Sequence, residues 1–229
     1  MGGAASAAGP GPPRLGAALF AALSLALEHA FVLVAATLVW GLIAAAYLFL
    51  LIGLPALILV IPLFALPTAS LTRLAIVAVR AGVPTLAMAR EELGRLAPRK
   101  LALAAVQVLV IGISLTNIRL AGEIGGLPGL LSAGVAMYLV VGTGTYAMAV
   151  WPIVCDPLRA GPLREQLRLA LAVTARRPLQ LGLLAVIAGL AAAASIQVLI
   201  LGLFVPIVVL LAIAGYVVPA ADQIVPPAA

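Results

Sequence analysis

Charge is what this chain has least of. Asp, Glu, Lys and Arg make up 9% of its 229 residues, against about a quarter in a soluble domain. So little polar material cannot coat a water-facing surface, which excludes a soluble enzyme and a disordered linker. Cysteine occurs once, at Cys155 beside Asp156. That rules out an internal disulfide and a secreted disulfide scaffold, and leaves Cys155 as a small apolar filler. Histidine also occurs once, at His29 next to Glu28. A metal centre needs three or four ligands, so no metal or other cofactor is expected. Aromatics amount to 5% and do not alternate with basic residues. The net charge of +6 is therefore not read as a nucleic-acid footprint. The one carboxylate pair, Glu91-Glu92, falls in a connecting segment and is expected to be solvated. No nucleophile elbow, phosphate-binding loop or zinc-protease helix is present, so no catalytic constellation and no enzyme is expected.

What is abundant is apolar residue, 65% of the chain, gathered into long uncharged runs. His29 to Thr72 is 44 residues without a charge, Leu101 to Ile118 is 18, Ile124 to Cys155 is 32 and Leu179 to Ala221 is 43. At about 20 residues per spanning helix these runs hold two, one, one and two spans. A single 43-residue helix would reach about 65 Å, twice the hydrocarbon core. The long runs must therefore turn back, at Gly53-Leu54-Pro55 and between Gly202 and Pro206. No apolar/polar alternation of period two supports a barrel, and helices alone satisfy the backbone in lipid. The expected fold is an all-α, polytopic transmembrane helical bundle of six spans. They run Ala30–Ile52, Leu54–Leu71, Leu101–Leu120, Gly129–Cys155, Leu179–Leu199 and Leu203–Val218. The alternative is five, because Pro55, Pro62 and Pro67 give the second span reason to kink or stop short. Residues 15–222 form a single membrane domain. Residues 1–14, Gly/Ala/Pro-rich and without a charge before Arg14, and residues 223–229 read as disordered tails. Leu15 to Leu27 is too short to span and reads as an interfacial helix.

Topology follows from the cations. Arg73, Arg80, Arg90, Arg95, Arg99 and Lys100 are expected in one connection, and Arg159, Arg164, Arg168, Arg176 and Arg177 in another. Together they hold eleven of the thirteen basic residues. Basic connections stay cytoplasmic, and the two spans between them keep both on one side. Arg119 to Pro128 and the turn near Gly202 are then external, and both termini cytoplasmic. The two connections resemble each other: each opens on an Arg (Arg80, Arg159), continues amphipathically and closes on basic residues and a following Leu (Leu101, Leu179). Such similarity suits a parallel repeat of three-span units or simple convergence.

Both connections contain short amphipathic cytoplasmic helices. Leu86, Leu93, Leu96 and Ala97 are expected on one face of the first, with Arg90, Glu91, Glu92 and Arg95 elsewhere and Glu91–Arg95 as an i,i+4 pair. In the second, Leu163, Leu167, Ala170, Leu171 and Thr174 share a face flanked by Arg164 and Arg168. Arg90, Arg95, Arg99, Lys100, Arg159, Arg164, Arg168, Arg176 and Arg177 are candidate contacts for a docking partner or for anionic lipid. Within the spans, Gln107, Asn117, Thr143, Thr145 and Gln197 are the candidates for a polar seam. Gly142-Thr143-Gly144-Thr145 and Ala185/Gly189/Ala193 are the candidates for close helix packing. Trp40, Tyr47, Tyr138, Tyr146, Trp151 and Tyr216 include candidate interface anchors.

Two stretches resemble a known family. Leu54-Pro55 through Pro67-Thr68-Ala69-Ser70-Leu71-Thr72-Arg73, and Pro162-Leu163 through Arg177-Pro178-Leu179, resemble the opening and the second cytoplasmic loop of the YesL-like family of bacterial integral membrane proteins. The resemblance spans about residues 30–200. It implies a multi-pass helical bundle of the bacterial plasma membrane, at times associated with carbohydrate uptake, and carries over no activity. The expected role is a non-enzymatic accessory or scaffold component. Its expected partners are the lipid bilayer and a membrane transport complex or a second copy of the chain, without nucleic acid. The alternative is a small transporter or permease-like subunit for an uncharged solute.

Overall fold

The structure is a computed structural model. It describes residues 14–53, 61–63, 65–80, 82–95, 97–159, 161–197 and 199–226, with the backbone alone at 44–45, 47–53, 192–197 and 199–204. The described residues are helical throughout, without a strand. In order they form α1 (Leu15–Glu28), α2 (Ala30–Gly53), α3 (Ala65–Val79), α4 (Leu86–Gly94), α5 (Ala97–Ile124), α6 (Gly126–Val154), α7 (Leu163–Arg176), α8 (Pro178–Gln197) and α9 (Leu199–Asp222). Four stretches are long and apolar enough to cross a membrane: Ile61–Val79, Ala97–Ile124, Gly126–Val154 and Val205–Asp222. The count rises to six if each of two bent pairs is one span. These pairs are α1 with the start of α2, bent by 91°, and α7 with the start of α8, bent by 98°. Each of the six expected spans thus has a helical counterpart.

The C-terminal half of α9 is the hub. Leu211, Ala212, Ile213, Ala214, Tyr216, Val217, Val218, Ala220 and Ala221 are all buried, and α9 packs on α1, α2, α3, α6, α7 and α8. A helix apolar on every side has no solvent face to offer and belongs in the middle. Around it, α1 lays Ala18, Ala22 and Ala26 into the core. This i,i+4,i+8 alanine ladder lets two backbones approach closely. α5 packs chiefly on α6, and most of both helices faces outward. Their large exposed hydrophobic side chains are mostly Val, Leu and Ile, with Met137 and Tyr138, a surface compatible with lipid contact.

Several boundaries differ from the sequence expectation. The second span lies further along the chain: α3 runs to Val79, so Arg73 is inside a helix and Arg80 caps its end. Residues 54–60, at the start of the expected span, lie outside the described residues. α5 and α6 together extend over the segment 119–128, expected as a loop. They meet at Gly125 and Gly126, whose φ values of 66° and 60° make a turn that L side chains rarely adopt. Gly202 and Pro206 are not a turn but part of α9. α8 ends at Gln197 and α9 begins at Leu199, and residue 198 lies outside the described residues. Proline inside a membrane helix is tolerated because neighbouring helices re-satisfy the freed carbonyl. The tail expected at 223–229 is folded as far as Pro226. Val225 N–H donates to the Ala221 carbonyl at 2.9 Å, and Ile224 packs against the core. Residues 1–13 and 227–229 lie outside the described residues.

Candidate functional site

Four of the charged residues meet at one end of the bundle, where α3, α6 and α9 finish and α5 and α8 begin. Arg80 follows α3, Asp156 follows α6, Arg159 sits in the short 3-10 turn Pro157–Arg159, and Asp222 ends α9. Arg80 and Arg159 each pair with both Asp156 and Asp222. The Asp156 side chain is 1% exposed and that of Arg159 6%. Two cations and two anions neutralise each other, as groups this dry require. Burial opposes the Arg80 charge, but hydrogen bonding and attraction from Asp156, then Asp222, outweigh it and hold its pKa above the ordinary value. The stabilising effect of that charge is present below the ordinary arginine pKa and lost only as pH rises through the higher folded value.

Further bonds lock the surrounding loops. Arg159 donates to the Val225 carbonyl at 2.8 Å. Gln166 of α7 donates to the Arg159 carbonyl at 2.6 Å. Arg177, between α7 and α8, donates to the Tyr216 hydroxyl at 3.4 Å and to Gln223 Oε1 at 3.1 Å, its guanidinium 5.7 Å from the Tyr216 ring centre. Tyr216 is fully buried, so among the described aromatics it is a core residue and not an interface anchor. Trp151 donates to Gln107, whereas Tyr138 faces outward at 78% exposure.

A second cluster joins α4 to α5. Lys100 donates to both the backbone carbonyl and the Oε1 of Glu92, at 2.7 and 2.8 Å. The two side chains are 1% and 3% exposed. Glu92 is therefore not solvated, and Arg95 pairs with it at 3.9 Å in place of the expected partner Glu91. Lys100, in the first turn of α5, reaches Glu92 on α4 eight residues before it. Nearby, Arg73 donates to the Cys155 carbonyl at 3.4 Å. Cys155 itself is fully buried, and burial pushes its thiol up to about 12.

These clusters divide the nine candidate contact residues. Arg95, Lys100, Arg159 and Arg177 are engaged within the fold. Arg90, Arg99, Arg164, Arg168 and Arg176 are exposed, and none has an ion pair among the described residues. Of the two amphipathic helices, α4 presents another face than expected, whereas α7 turns most of its expected face, Leu163, Leu167 and Ala170, to the core. α4 buries Glu92 and packs Met88 and Ala89 against the core, leaving Leu86 and Leu93 exposed. α7 buries Gln166, Ala170 and Val173; Leu163 and Leu167 are half-buried and Leu171 is exposed. The two opening arginines of the similar connections, Arg80 and Arg159, converge on the same pair of aspartates.

The intramembrane candidates do not gather. Gln107 and Thr145 are drawn in, Asn117 faces outward and Thr143 is half-buried; the Gln197 side chain lies outside the described residues. Gly142, Gly144 and Gly189 have open space where a Cβ would stand, so none makes the close contact expected of it, and the Ala193 side chain lies outside the described residues. Close approach occurs instead at Gly129. Among the described residues no group of three His, Cys, Asp or Glu could hold a metal ion. Two cavities border α7. One of about 590 Å³ lies between α7 and the C-terminal segment, with Arg159, Glu165, Gln166 and Val225 in its wall. The other, about 440 Å³, lies between α7 and α6. Asp156, Asp222 and Glu92 are the residues that sequence reasoning passed over. The available signal for the aspartates was position: each directly follows a long uncharged run, level with the arginines. Comparison with protein-family models, curated proteins and solved structures finds no match to the chain.

Proposed function

We propose that this chain is a non-enzymatic accessory or scaffold component of the bacterial plasma membrane, with its charged end in the cytoplasm and α4 as its contact surface for a protein partner. The reading is carried by the reversed character of α4. That helix hides one of its two acids, Glu92, leaves Glu91 exposed, and presents Leu86, Arg90 and Leu93, which share one face at i, i+4 and i+7. Exposed leucines around an unpaired arginine suit an apolar surface rimmed with acidic groups, as on a subunit of a transport complex. The buried ion networks fix α4 to the bundle, so this surface is held in place before a partner arrives. Both termini are then cytoplasmic. The short motifs shared with the YesL-like family agree with this assignment but do not carry it.

A photo-crosslinking residue at position 93, in cells, tests the proposal. A discrete protein adduct is expected that disappears with Arg90→Glu and is absent when the crosslinker stands at the outward-facing position 109 on α5. Identical adduct patterns at the two positions, or indifference to Arg90→Glu, would overturn it. A second reading, a permease-like subunit for an uncharged solute, is favoured by one observation. Gln107 Nε2 and Ser114 Oγ are buried without a hydrogen-bond partner among the described residues, seven positions apart on one face of α5. Uptake of neutral solutes into proteoliposomes distinguishes it from the first.

A further inference from the structure

We infer that the groove between α6 and α7 is a binding site for one anionic phospholipid of the cytoplasmic leaflet. Tyr146, Leu163, Leu167 and Leu171 line it for an acyl chain, and Arg164 and Arg168 hold the headgroup phosphate. The inference rests on the membrane orientation given under Proposed function, and not on the protein partner named there.

The groove has about 440 Å³ of space, and among the described residues its wall consists of those six. Four are apolar or aromatic and two are guanidinium groups; none is acidic. The one acid of α7, Glu165, lines the cavity on the other side of the helix, and Arg168 stands on the ridge between the two. Arg164 and Arg168 are exposed, four residues apart on one face, and neither has an ion pair among the described residues. A phosphate between them accepts charge-assisted hydrogen bonds from both, an arrangement for which the guanidinium fork is suited.

Depth decides in favour of a lipid over a soluble anion. Tyr146 lies nine residues before Cys155, where α6 has ended, which is about 13 Å along the helix axis. The groove therefore runs from the charged end up the flank of α6 into the hydrocarbon zone. The Tyr146 hydroxyl donates to the Leu167 carbonyl at 3.0 Å and so fixes α7 against that flank. Leu171 is 60% exposed there, an apolar surface for a chain to lie on. A soluble anion could use the arginines but would leave the leucines and the tyrosine ring bare. A phospholipid satisfies both halves.

The test is native mass spectrometry of the full-length protein, released from bilayers containing phosphatidylglycerol and phosphatidylcholine. One retained phosphatidylglycerol per chain is expected, in preference to phosphatidylcholine. Arg164→Gln with Arg168→Gln should cut that preference by about thirtyfold, the effect of two arginines beside an anionic headgroup. The pair Arg90→Gln with Arg99→Gln, equally exposed but outside the groove, should leave it unchanged. Leu167→Gln should weaken retention of both lipids, and a matching elution profile on size exclusion shows that each variant is folded. Equal loss with both arginine pairs would mean general attraction to anionic surfaces and overturn the site. Displacement of the lipid by inorganic phosphate would make it a free-anion site, and absence of any preference would remove it. A protein adduct from a crosslinker at position 168, with no lipid adduct, would reassign the groove to a partner.

Discussion

At the scale of single residues, the informative fact is where charge has been hidden. Glu92 and Lys100 are nearly inaccessible, yet each sits among residues that read as a solvated loop. Their burial could not be seen in the sequence, because it depends on the connection after Gly94 folding one short helix onto the next. The same holds for Asp156, which follows α6 and pairs with Arg159 of its own connection and with Arg80 from the end of α3. A dry ion pair is costly to break and far less costly to replace with apolar groups. Lys100→Met is therefore expected to lower stability by about 3–5 kcal/mol, because Glu92 is left charged and buried. Glu92→Leu combined with Lys100→Met should recover most of that loss. Thermal unfolding in detergent measures both. If the double variant is as weak as the sum of the singles, the two side chains are not coupled.

At the scale of elements, helix identity was legible and helix facing only in part. The uncharged runs mark α2, α5, α6, α8 and α9 because lipid solvation needs long apolar segments whatever the tertiary structure. α4 and α7 were recognisable as amphipathic, but α4 faces the bundle with Met88, Ala89 and Glu92, and α7 is centred on Gln166, Ala170 and Val173. A buried ion pair and a carbonyl-seeking glutamine outrank a leucine stripe when lipid can cover the leucines from outside. The α5–α6 hairpin shows the reverse situation, in which one backbone contact sets the register. A Cβ at Gly129 would collide with the Ala121 carbonyl oxygen, which nothing but backbone movement can relieve. Gly129→Ala is expected to destabilise the protein by about 1–3 kcal/mol through overpacking. The same substitution at Gly134, which has open space around it, should be close to neutral. Comparable melting temperatures for the two variants would show that the hairpin is looser than its geometry indicates.

At the scale of the whole molecule, polarity follows from which helix ends share the ion networks. The C-terminal ends of α3, α6 and α9 and the N-terminal ends of α5 and α8 lie together, and the Gly125-Gly126 turn ends the α5–α6 hairpin away from them. With the basic end in the cytoplasm, single cysteines at positions 90 and 168 should be shielded from a membrane-impermeant maleimide in intact cells. A cysteine at position 119 should react. Cys155 provides no background, since its thiol is buried and its pKa lies far above neutrality. Labelling at 90 and 168 from opposite sides would disprove the arrangement. Labelling of both from outside would invert it while leaving the fold intact.

Composition and run length by themselves determined that this is an all-helical chain with segments long and apolar enough to cross a membrane, and gathered most of its cations into two segments. Those properties are sums over residues, and no folding detail alters them. Only the tertiary structure decided which cations are spent inside the protein and which remain to meet something else. That outcome turns on pairings between residues tens of positions apart, such as Arg80 with Asp222 and Arg177 with Tyr216. In a low-dielectric interior each such pairing forms only where every charge finds its partner.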